Sequence, residues 1–271
     1  MAGARESIVS QCLVLLLLAA NIAFARAEDS ALKYGCDRPL RVGIVEFGPM
    51  YFAEEGVDVD IIHEMSRRSG CQFEIASMLR IDLWPAIEAG DIDLATNSIS
   101  TPQRTKLARF VTYFGFKNMM VVPSGRADAI NSLPALTAEP DWRLGLVRGF
   151  RYGNYDDYHL KQLLGEARIL EFPTHAELFD ALRIGEVQAV LTPSVNYYFF
   201  LNEGERQHFV LVDASPAPPT PSGLALSRKK FSAPQVDNWL RLIESMRLDR
   251  TLHRYVERHI SKSAAAGMIE Y

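Results

Sequence analysis

Cysteine is scarce in this chain of 271 residues, which contains three. Cys12 lies inside an N-terminal apolar segment, so Cys36 and Cys71 are the pair left for the rest of the sequence. Two thiols without a histidine at ligand spacing make a poor zinc site, and the six histidines show neither metal-ligand spacing nor pairing with a plausible nucleophile. The sequence therefore predicts no metal centre and no cofactor.

A charge excess of either sign is also missing. The 29 Lys and Arg residues against 33 Asp and Glu residues give a net charge of −4, and no long run of one sign occurs. This balance does not suit a nucleic-acid-binding surface, so we expect no nucleic-acid partner. The 48% hydrophobic and 23% charged content is typical of a globular protein, and the length fits two compact units or one large one.

Long apolar runs are absent except at the N-terminus, where residues 12–20 are apolar and Ala25 and Ala27 flank Arg26 as in a signal-peptide cleavage site. The run is shorter than the ~20 residues that a membrane span needs. We therefore expect a signal peptide over residues 1–27 and a mature chain free in the periplasm. In an exported protein, the remaining pair Cys36 and Cys71 favours a disulfide, with two separate buried thiols as the alternative.

The first part of the mature chain predicts a β-α-β unit. Residues 39–45 and 71–76 are short strand-like runs, and residues 58–68 between them have helical periodicity. The right-handed crossover makes the two strands parallel neighbours. Cys36 precedes the first strand and Cys71 opens the second, so both lie at the same edge of one sheet, which supports the disulfide.

An internal repeat predicts two similar α/β lobes with mainly parallel sheets. Residues 83–98 align without a gap on residues 178–193, and residues 40–45 match residues 142–147. Each long copy reads as a helix ended by a glycine, Gly90 or Gly185, followed by a turn and an apolar strand. Chance similarity between generic helix-strand units is the alternative.

The lobes are not expected to be consecutive. The strand-like runs at residues 119–123 and 223–227 bracket the second copy, and residues 213–222 are rich in Pro and small side chains. These runs predict a two-strand hinge, with lobe 1 formed by residues 28–122 and 223–271 and lobe 2 by residues 123–222. Residues 236–260 have helical periodicity and should pack back on lobe 1.

Four segments carry a family likeness: LRVG at residues 40–43, VDVD at 57–60, PAIEAGDID at 85–93 and SISTPQR at 98–104. With the signal peptide, they make the chain resemble the bacterial family-3 periplasmic solute-binding proteins of polar amino-acid ABC transporters. The resemblance implies the type II periplasmic binding protein fold, hinge closure on a small ligand and delivery to a membrane ABC permease. It also implies a monomer without enzymatic activity.

The segment from Thr101 to Arg104 reads as a helix start, with Thr101 as N-cap and Pro102 at the first helical position. A cation in the first turn opposes the helix dipole, so an anionic partner is expected. Helix amides, a hydroxyl and a guanidinium at one point suit a carboxylate, and the resemblance assigns Arg104 to the ligand carboxylate. The alternative is a surface salt bridge. The same turn offers further polar candidates, some of which could simply cap backbone: Asn97, Ser98 and Ser100.

Other ligand-contact candidates follow the predicted strands. Phe47 stands where the family commonly has an aromatic over the ligand, and Tyr51 is a second candidate; either could belong to the core instead. Arg80 stands where the family often has Trp or Phe, and a second cation suggests a second acidic group on the ligand, with a surface arginine as the alternative.

The second lobe departs from the family at two positions. Phe150 replaces a usual Ser or Thr, with Arg151 and Tyr152 beside it as candidate contacts. Pro193, next to the candidate Thr192, replaces the Asp that pairs with an α-ammonium group in the amino-acid binders. The expected ligand is therefore a small carboxylate with one or two acidic groups, an amino acid or a related organic acid.

Three functions remain open on the sequence. A binding protein for transport is favoured. A dehydratase-type enzyme on the same scaffold would need an acid in the cleft, for which Glu46 is the candidate. A soluble sensor or accessory subunit would have the same cleft.

Overall fold

The computed structural model describes residues 32–136, 138–165 and 167–270. The expected signal peptide at residues 1–27 lies outside this part of the chain. Within it, no helix is both long and apolar enough to cross a membrane.

The described residues form both α-helices and β-strands. The strands are β1 (Leu40–Ile44), β2 (Phe73–Ser77), β3 (Leu94–Ser98), β4 (Ala108–Phe116), β5 (Asn118–Pro123), β6 (Leu144–Val147), β7 (Ile169–Phe172), β8 (Ala189–Pro193), β9 (Phe209–Val212), β10 (Thr220–Ser227) and β11 (Met268–Glu270). The α-helices are α1 (Val57–Ser69), α2 (Arg80–Ala89), α3 (Leu133–Leu136), α4 (Asn154–Gly165), α5 (His175–Arg183), α6 (Ser194–Phe200), α7 (Ala233–Leu248), α8 (Thr251–His259) and α9 (Lys262–Ala265).

The strands of the described residues form two sheets, which confirms the two α/β lobes. The first sheet has the order β11-β4-β10-β3-β1-β2 and the second has the order β7-β6-β8-β5-β9. Strand β1 is parallel to β2 and β3, and β6 is parallel to β7 and β8. The sheets are mixed rather than mainly parallel, because β10 and β5 run antiparallel to β3 and β8. Both antiparallel strands lie next to a crossing between lobes, where the chain enters the sheet from its cleft end.

The internal repeat predicted from sequence has a structural counterpart in a close helix–strand contact. A Cβ atom on Gly43 of β1 would lie 2.5 Å from Leu83 Cδ1, and a Cβ atom on Gly145 of β6 would lie 2.5 Å from Leu178 Cδ1. Only glycine on the strand lets these leucines of α2 and α5 reach the sheet. The two lobes therefore use the same packing at aligned leucines.

The C-terminal helices pack on lobe 1, as the periodicity predicts. Trp239 of α7 is fully buried and donates its Nε1–H to the Tyr34 carbonyl at 3.0 Å. The periodic segment is two helices rather than one, because Arg250 between α7 and α8 has a left-handed φ of 62°.

Two crossings connect the lobes. The first is at Lys117, between β4 and β5, and the second is at residues 213–219, between β9 and β10. The runs 119–123 and 223–227 are therefore not the crossings themselves: β5 pairs wholly within the second sheet and β10 within the first. The first crossing, at Lys117, also comes earlier in the chain than residue 122, where lobe 1 was expected to end. The Lys117 ammonium donates to the carbonyls of Ser215 and Ala217, each at 2.6 Å, so the two crossings are tied together.

The disulfide is confirmed. Cys36 and Cys71 are bonded, with their Cα atoms 5.7 Å apart, where the chain enters β1 and β2 of lobe 1.

Replacing both cysteines by serine should lower the free energy of unfolding by about 3–4 kcal/mol, because the cross-link restricts a long loop in the unfolded chain. Urea unfolding followed by circular dichroism measures the loss. Dithiothreitol should destabilise the wild type by a similar amount and leave the double variant unchanged. A wild type whose thiols are free by titration after dithiothreitol treatment, but whose stability is unchanged, would show that the bond contributes nothing.

Candidate functional site

The candidate site lies between the lobes, where the carboxyl ends of β3 and β6 face each other. The carboxyl ends of parallel strands are where α/β proteins hold ligands. A small inner cavity is lined by Arg80, Asn97, Ile99, Arg104, Phe150 and Arg151. It adjoins an outer pocket of about 330 Å³ that shares its three arginines and adds Trp84 and Thr101, among others. The structure thus brings together four of the predicted site residues: Arg80, Asn97, Arg104 and Arg151.

Arg80 is the first residue of α2 and is 3% exposed. Its Nη1 donates to the Asn97 carbonyl at 3.3 Å, and its guanidinium lies 5.4 Å from the centroid of the Phe150 ring. Its Nε and Nη2 are buried without a hydrogen-bond partner. Burial lowers the pKa of Arg80 to about 10, although the charge of Asp58 opposes this shift. The sequence alternative of a surface arginine is therefore excluded.

Arg104 approaches the same cavity from lobe 1 and reaches across to lobe 2. Its Nη1 donates to the Ile99 carbonyl at 3.3 Å and its Nη2 to the Gly149 carbonyl at 3.4 Å, while the guanidinium lies 4.5 Å from the Trp84 ring centroid. Burial, and then the charges of Arg80 and Arg151, lower the pKa of Arg104 to about 9. Arg80, Arg104 and Arg151 form no ion pair within the described part of the chain. Their positive charges repel one another.

The helix expected to begin at Thr101 does not form. Thr101 Oγ1 does accept from the Arg104 amide at 3.2 Å, but the segment continues as a single 3₁₀ turn, Arg104–Lys106. The chain then enters β4 at Ala108, where pairing with β10 begins. A helix from Thr101 would need the residues that form β4. The prediction that a helix dipole acts at Arg104 was therefore wrong. The positive charge at this point is that of the Arg104 guanidinium.

A buried network supports the floor of the cavity. Asp58, in the first turn of α1, accepts from the Tyr113 hydroxyl at 2.9 Å and from Asn97 Nδ2. The Tyr113 oxygen in turn accepts from the Asn97 amide at 3.1 Å. Asn97 Oδ1 is buried without a partner. Burial, only partly offset by the hydrogen bond from Tyr113, raises the pKa of Asp58 to about 7.

Sequence reasoning missed Asp58. Its signal was present, since Asp58 stands beside Val57 on the apolar face of α1 that also carries Ile61. A carboxylate at a buried helix position requires partners.

Phe47, the predicted ligand-covering aromatic, lies at the contact between lobes. It stacks on Phe150 with ring centroids 5.8 Å apart and an interplanar angle of 13°, and the His175 ring stands edge-on to both. We call Phe47, Phe150 and His175 the aromatic seam. Burial lowers the pKa of His175 to about 3, so the imidazole in the seam is neutral.

A polar contact closes the cleft next to the aromatic seam. Glu46 Oε1 accepts from the Ala176 amide at 2.9 Å, and the Glu46 carbonyl lies 3.2 Å from His175 Nδ1. Burial raises the pKa of Glu46 despite these bonds. The Glu46 carboxylate thus binds the first turn of α5 and does not line the arginine cavity.

The structure places the other predicted residues away from the cavity lining. Tyr51 packs in the lobe 1 core, and Tyr152 packs in the lobe 2 core, where its hydroxyl oxygen accepts from the Val147 amide at 3.1 Å. Ser98 is buried and donates to the Thr96 carbonyl, whereas Ser100 is exposed. Thr192 is buried and accepts from Asn196 Nδ2.

The described residues contain no group of three or more His, Cys, Asp or Glu side chains placed to hold a metal ion.

The chain belongs to the bacterial extracellular solute-binding proteins, family 3, whose family model matches residues 40–262. It is 26% identical over 182 residues to the ABC transporter glutamine-binding protein GlnH of Bacillus subtilis. That match covers 64% of this chain and 62% of the relative, so it spans less than two thirds of the relative's length.

Solved structures of similar proteins show the same fold. AbpA, an amino acid ABC transporter substrate-binding protein from Streptococcus pneumoniae bound to L-arginine, matches with a TM-score of 0.70 at 18% identity, covering 85% of this chain and 98% of that one. An ancestral amino acid-binding protein described as a precursor of cyclohexadienyl dehydratase matches with a TM-score of 0.69 at 24% identity, covering 86% and 99%. The solute receptor for L-cysteine of Neisseria gonorrhoeae matches with a TM-score of 0.67 at 20% identity, covering 88% and 92%.

The raised pKa of Asp58 predicts a pH dependence of stability. Between about pH 4 and about pH 7 the unfolded chain loses this proton while the folded chain keeps it, so stability falls as the pH rises, by up to about 1.4 kcal/mol per pH unit. Asp58→Asn removes this titration. The free energy of unfolding of the variant, relative to that of the wild type, should therefore increase as the pH rises from about 4 to about 7. Urea unfolding at a series of pH values measures the difference.

The exposed Asp82→Asn on α2 is the matched control and should follow the wild-type curve. Parallel curves for the wild type and Asp58→Asn between pH 4 and pH 7 would contradict a protonated, buried Asp58.

Proposed function

We propose that this chain is a periplasmic solute-binding protein that captures a small carboxylate-bearing ligand between its lobes and delivers it to a membrane ABC transporter. The observation that carries the proposal is the buried guanidinium of Arg80, whose Nε and Nη2 have no partner in the described structure. These two nitrogens form one edge of the guanidinium, and their parallel N–H bonds match the two oxygens of a carboxylate.

The energetics favour a ligand role for this arginine over a structural one. A buried charge with unmade hydrogen bonds destabilises a fold, and such groups are normally paired. Here three arginines face one cavity, and their mutual repulsion adds to the cost. An anionic ligand would supply acceptors for the free donors and reduce the repulsion.

The transport role draws on other support. The family consists of extracellular solute-binding proteins, and the curated relative is named for an ABC transporter. Two crossings tied at Lys117 and a set of contacts across the cleft suit lobes that open and close about a hinge. The expected signal peptide would place the chain in the periplasm.

The dehydratase alternative receives less support from the geometry. One fold neighbour is described as a precursor of cyclohexadienyl dehydratase, at 24% identity. A dehydratase would need Glu46 as an acid in the cleft. Glu46 instead accepts a hydrogen bond from the Ala176 amide. The arrangement of the cavity suits anion binding.

The first test is a thermal-shift screen of residues 28–271 against dicarboxylates, 2-oxo acids, amino acids and aromatic acids. A ligand at 100 times its dissociation constant adds about 2.7 kcal/mol of stability. Stabilisation by an acid that is not consumed supports the proposal, whereas consumption of the acid would favour an enzyme.

Arg80→Met should weaken binding of the stabilising acid at least about 100-fold, because it removes a desolvated, two-pronged partner of the carboxylate. Arg104→Met should also weaken binding of this acid.

Arg80→Met should at the same time raise the free energy of unfolding by about 1–3 kcal/mol, since a buried lone charge is replaced by an apolar side chain of similar length. Isothermal titration calorimetry and urea unfolding give the two readouts.

Arg143→Met, an exposed arginine just before β6 at the other end of the strand, is the control and should change neither quantity. If Arg80→Met binds the acid as well as the wild type does, or loses stability, Arg80 is a structural residue and the proposal fails.

A further inference from the structure

We infer that the preferred ligand is a small 2-hydroxy dicarboxylate rather than an amino acid, an inference that rests on the proposed function. Two features of the cavity carry it: an excess of guanidinium groups without a lining carboxylate, and an unpartnered acceptor, Asn97 Oδ1, beside them.

The first feature excludes an ammonium group. Arg80, Arg104 and Arg151 line the inner cavity and the outer pocket, and among the described residues neither is lined by an Asp or Glu side chain. The acidic groups that act on these arginines are Asp58 and Asp157. An amino acid would bring its ammonium group into a cationic cavity without an anionic partner, and like charges repel strongly where water is excluded.

Neither nearby carboxylate lines the two cavities, and each already accepts at least one hydrogen bond. Asp58 accepts from Tyr113 and from Asn97 on its two oxygens, and Asp157 accepts from the Tyr152 amide at 3.0 Å. Burial also raises the pKa of both carboxyl groups.

The second feature calls for a neutral donor. Asn97 is 6% exposed. Above about pH 7, where Asp58 is ionised, Nδ2 donates to its carboxylate and Oδ1 is left as the free atom. A buried acceptor is satisfied by an N–H or O–H group of the ligand. Since a charged amine is repelled by the arginines, a hydroxyl group is the donor that fits.

The two features together define the ligand chemistry. One carboxylate pairs with the free edge of Arg80, and a second carboxylate faces Arg104 and Arg151. The hydroxyl donates to Asn97 Oδ1, since Asn97 and Arg80 line the same inner cavity. A hydroxyl on the carbon next to the first carboxylate satisfies both neighbours at once.

The experiment compares ligands that differ in one substituent. The mature chain, residues 28–271, is titrated calorimetrically with diacids of three, four and five carbons that carry hydrogen, hydroxyl or ammonium at carbon 2. On the four-carbon skeleton these are succinate, malate and aspartate. We expect a hydroxy diacid to bind at least about tenfold more tightly than its unsubstituted and amino counterparts, because only it pairs the buried acceptor without adding positive charge.

Asn97→Gly removes the acceptor. Glycine suits the φ of 42° at this position, so the backbone should be kept. The variant should bind the hydroxy and unsubstituted diacids within about twofold of each other, so the hydroxyl preference is lost even if the lost Nδ2 bond to Asp58 changes the affinity for both. Retention of the hydroxyl preference in a folded Asn97→Gly would overturn the role of Asn97.

The wild-type series alone separates the two levels of the account. If an amino diacid binds as tightly as the hydroxy diacid, or the unsubstituted one equals it, the hydroxy-acid inference is wrong while acid capture stands. If none of the diacids binds and the wider acid screen is also silent, the proposed function itself fails.

Discussion

The burial of the Arg80 guanidinium between the lobes is the interaction around which the site is organised. Its helix brings it to the cleft, where the Asn97 carbonyl and the face of Phe150 hold it in place and leave one edge free. A buried positive charge with unmade hydrogen bonds lowers the stability of a fold. Under the proposed function, an anionic ligand supplies acceptors for the free edge of Arg80.

The surrounding architecture holds this charge in position. Lobe 1 supplies Arg80, Arg104 and Asn97, while lobe 2 supplies Phe150, and the Arg104 side chain reaches the Gly149 carbonyl across the cleft. The left-handed φ of Gly149 and its missing side chain let the start of α2 come close, since a Cβ there would lie 3.0 Å from the Ile81 Cα. The aromatic seam borders the arginine cavity through Phe150, and the Glu46–Ala176 contact lies next to the seam. The burial of Arg80 and Arg104 strengthens the field of their guanidinium groups.

Much of this organisation could be predicted from sequence. Periodicity and the repeat of residues 83–98 predicted two α/β lobes because strand-helix units leave a local pattern that does not depend on distant contacts. The strand positions of Cys36 and Cys71 at one sheet edge likewise favoured a disulfide over two separate thiols, and the bond is present. The exact crossings and the antiparallel strands β5 and β10 depend on pairing between distant segments, which local patterns do not encode.

The site was predicted less completely than the fold. Arg80, Arg104, Asn97 and Arg151 do line one cavity, because residues after strand ends converge there. Tyr51 and Tyr152 were candidates by the same rule but pack in the two cores, since the direction in which an aromatic side chain points depends on tertiary packing. Asp58 was missed because its role requires Tyr113 and Asn97, which lie far from it in sequence.

The most direct test of the account observes Arg80 itself. The Arg80 Nε–H resonance in a ¹H–¹⁵N spectrum of the mature protein is assigned by its absence in Arg80→Met, and the tightest-binding diacid is then added. The account predicts a downfield shift of this resonance and slower exchange of its proton with water, because Nε gains a carboxylate acceptor. A diacid that binds while the Arg80 resonance stays unchanged would contradict the central claim.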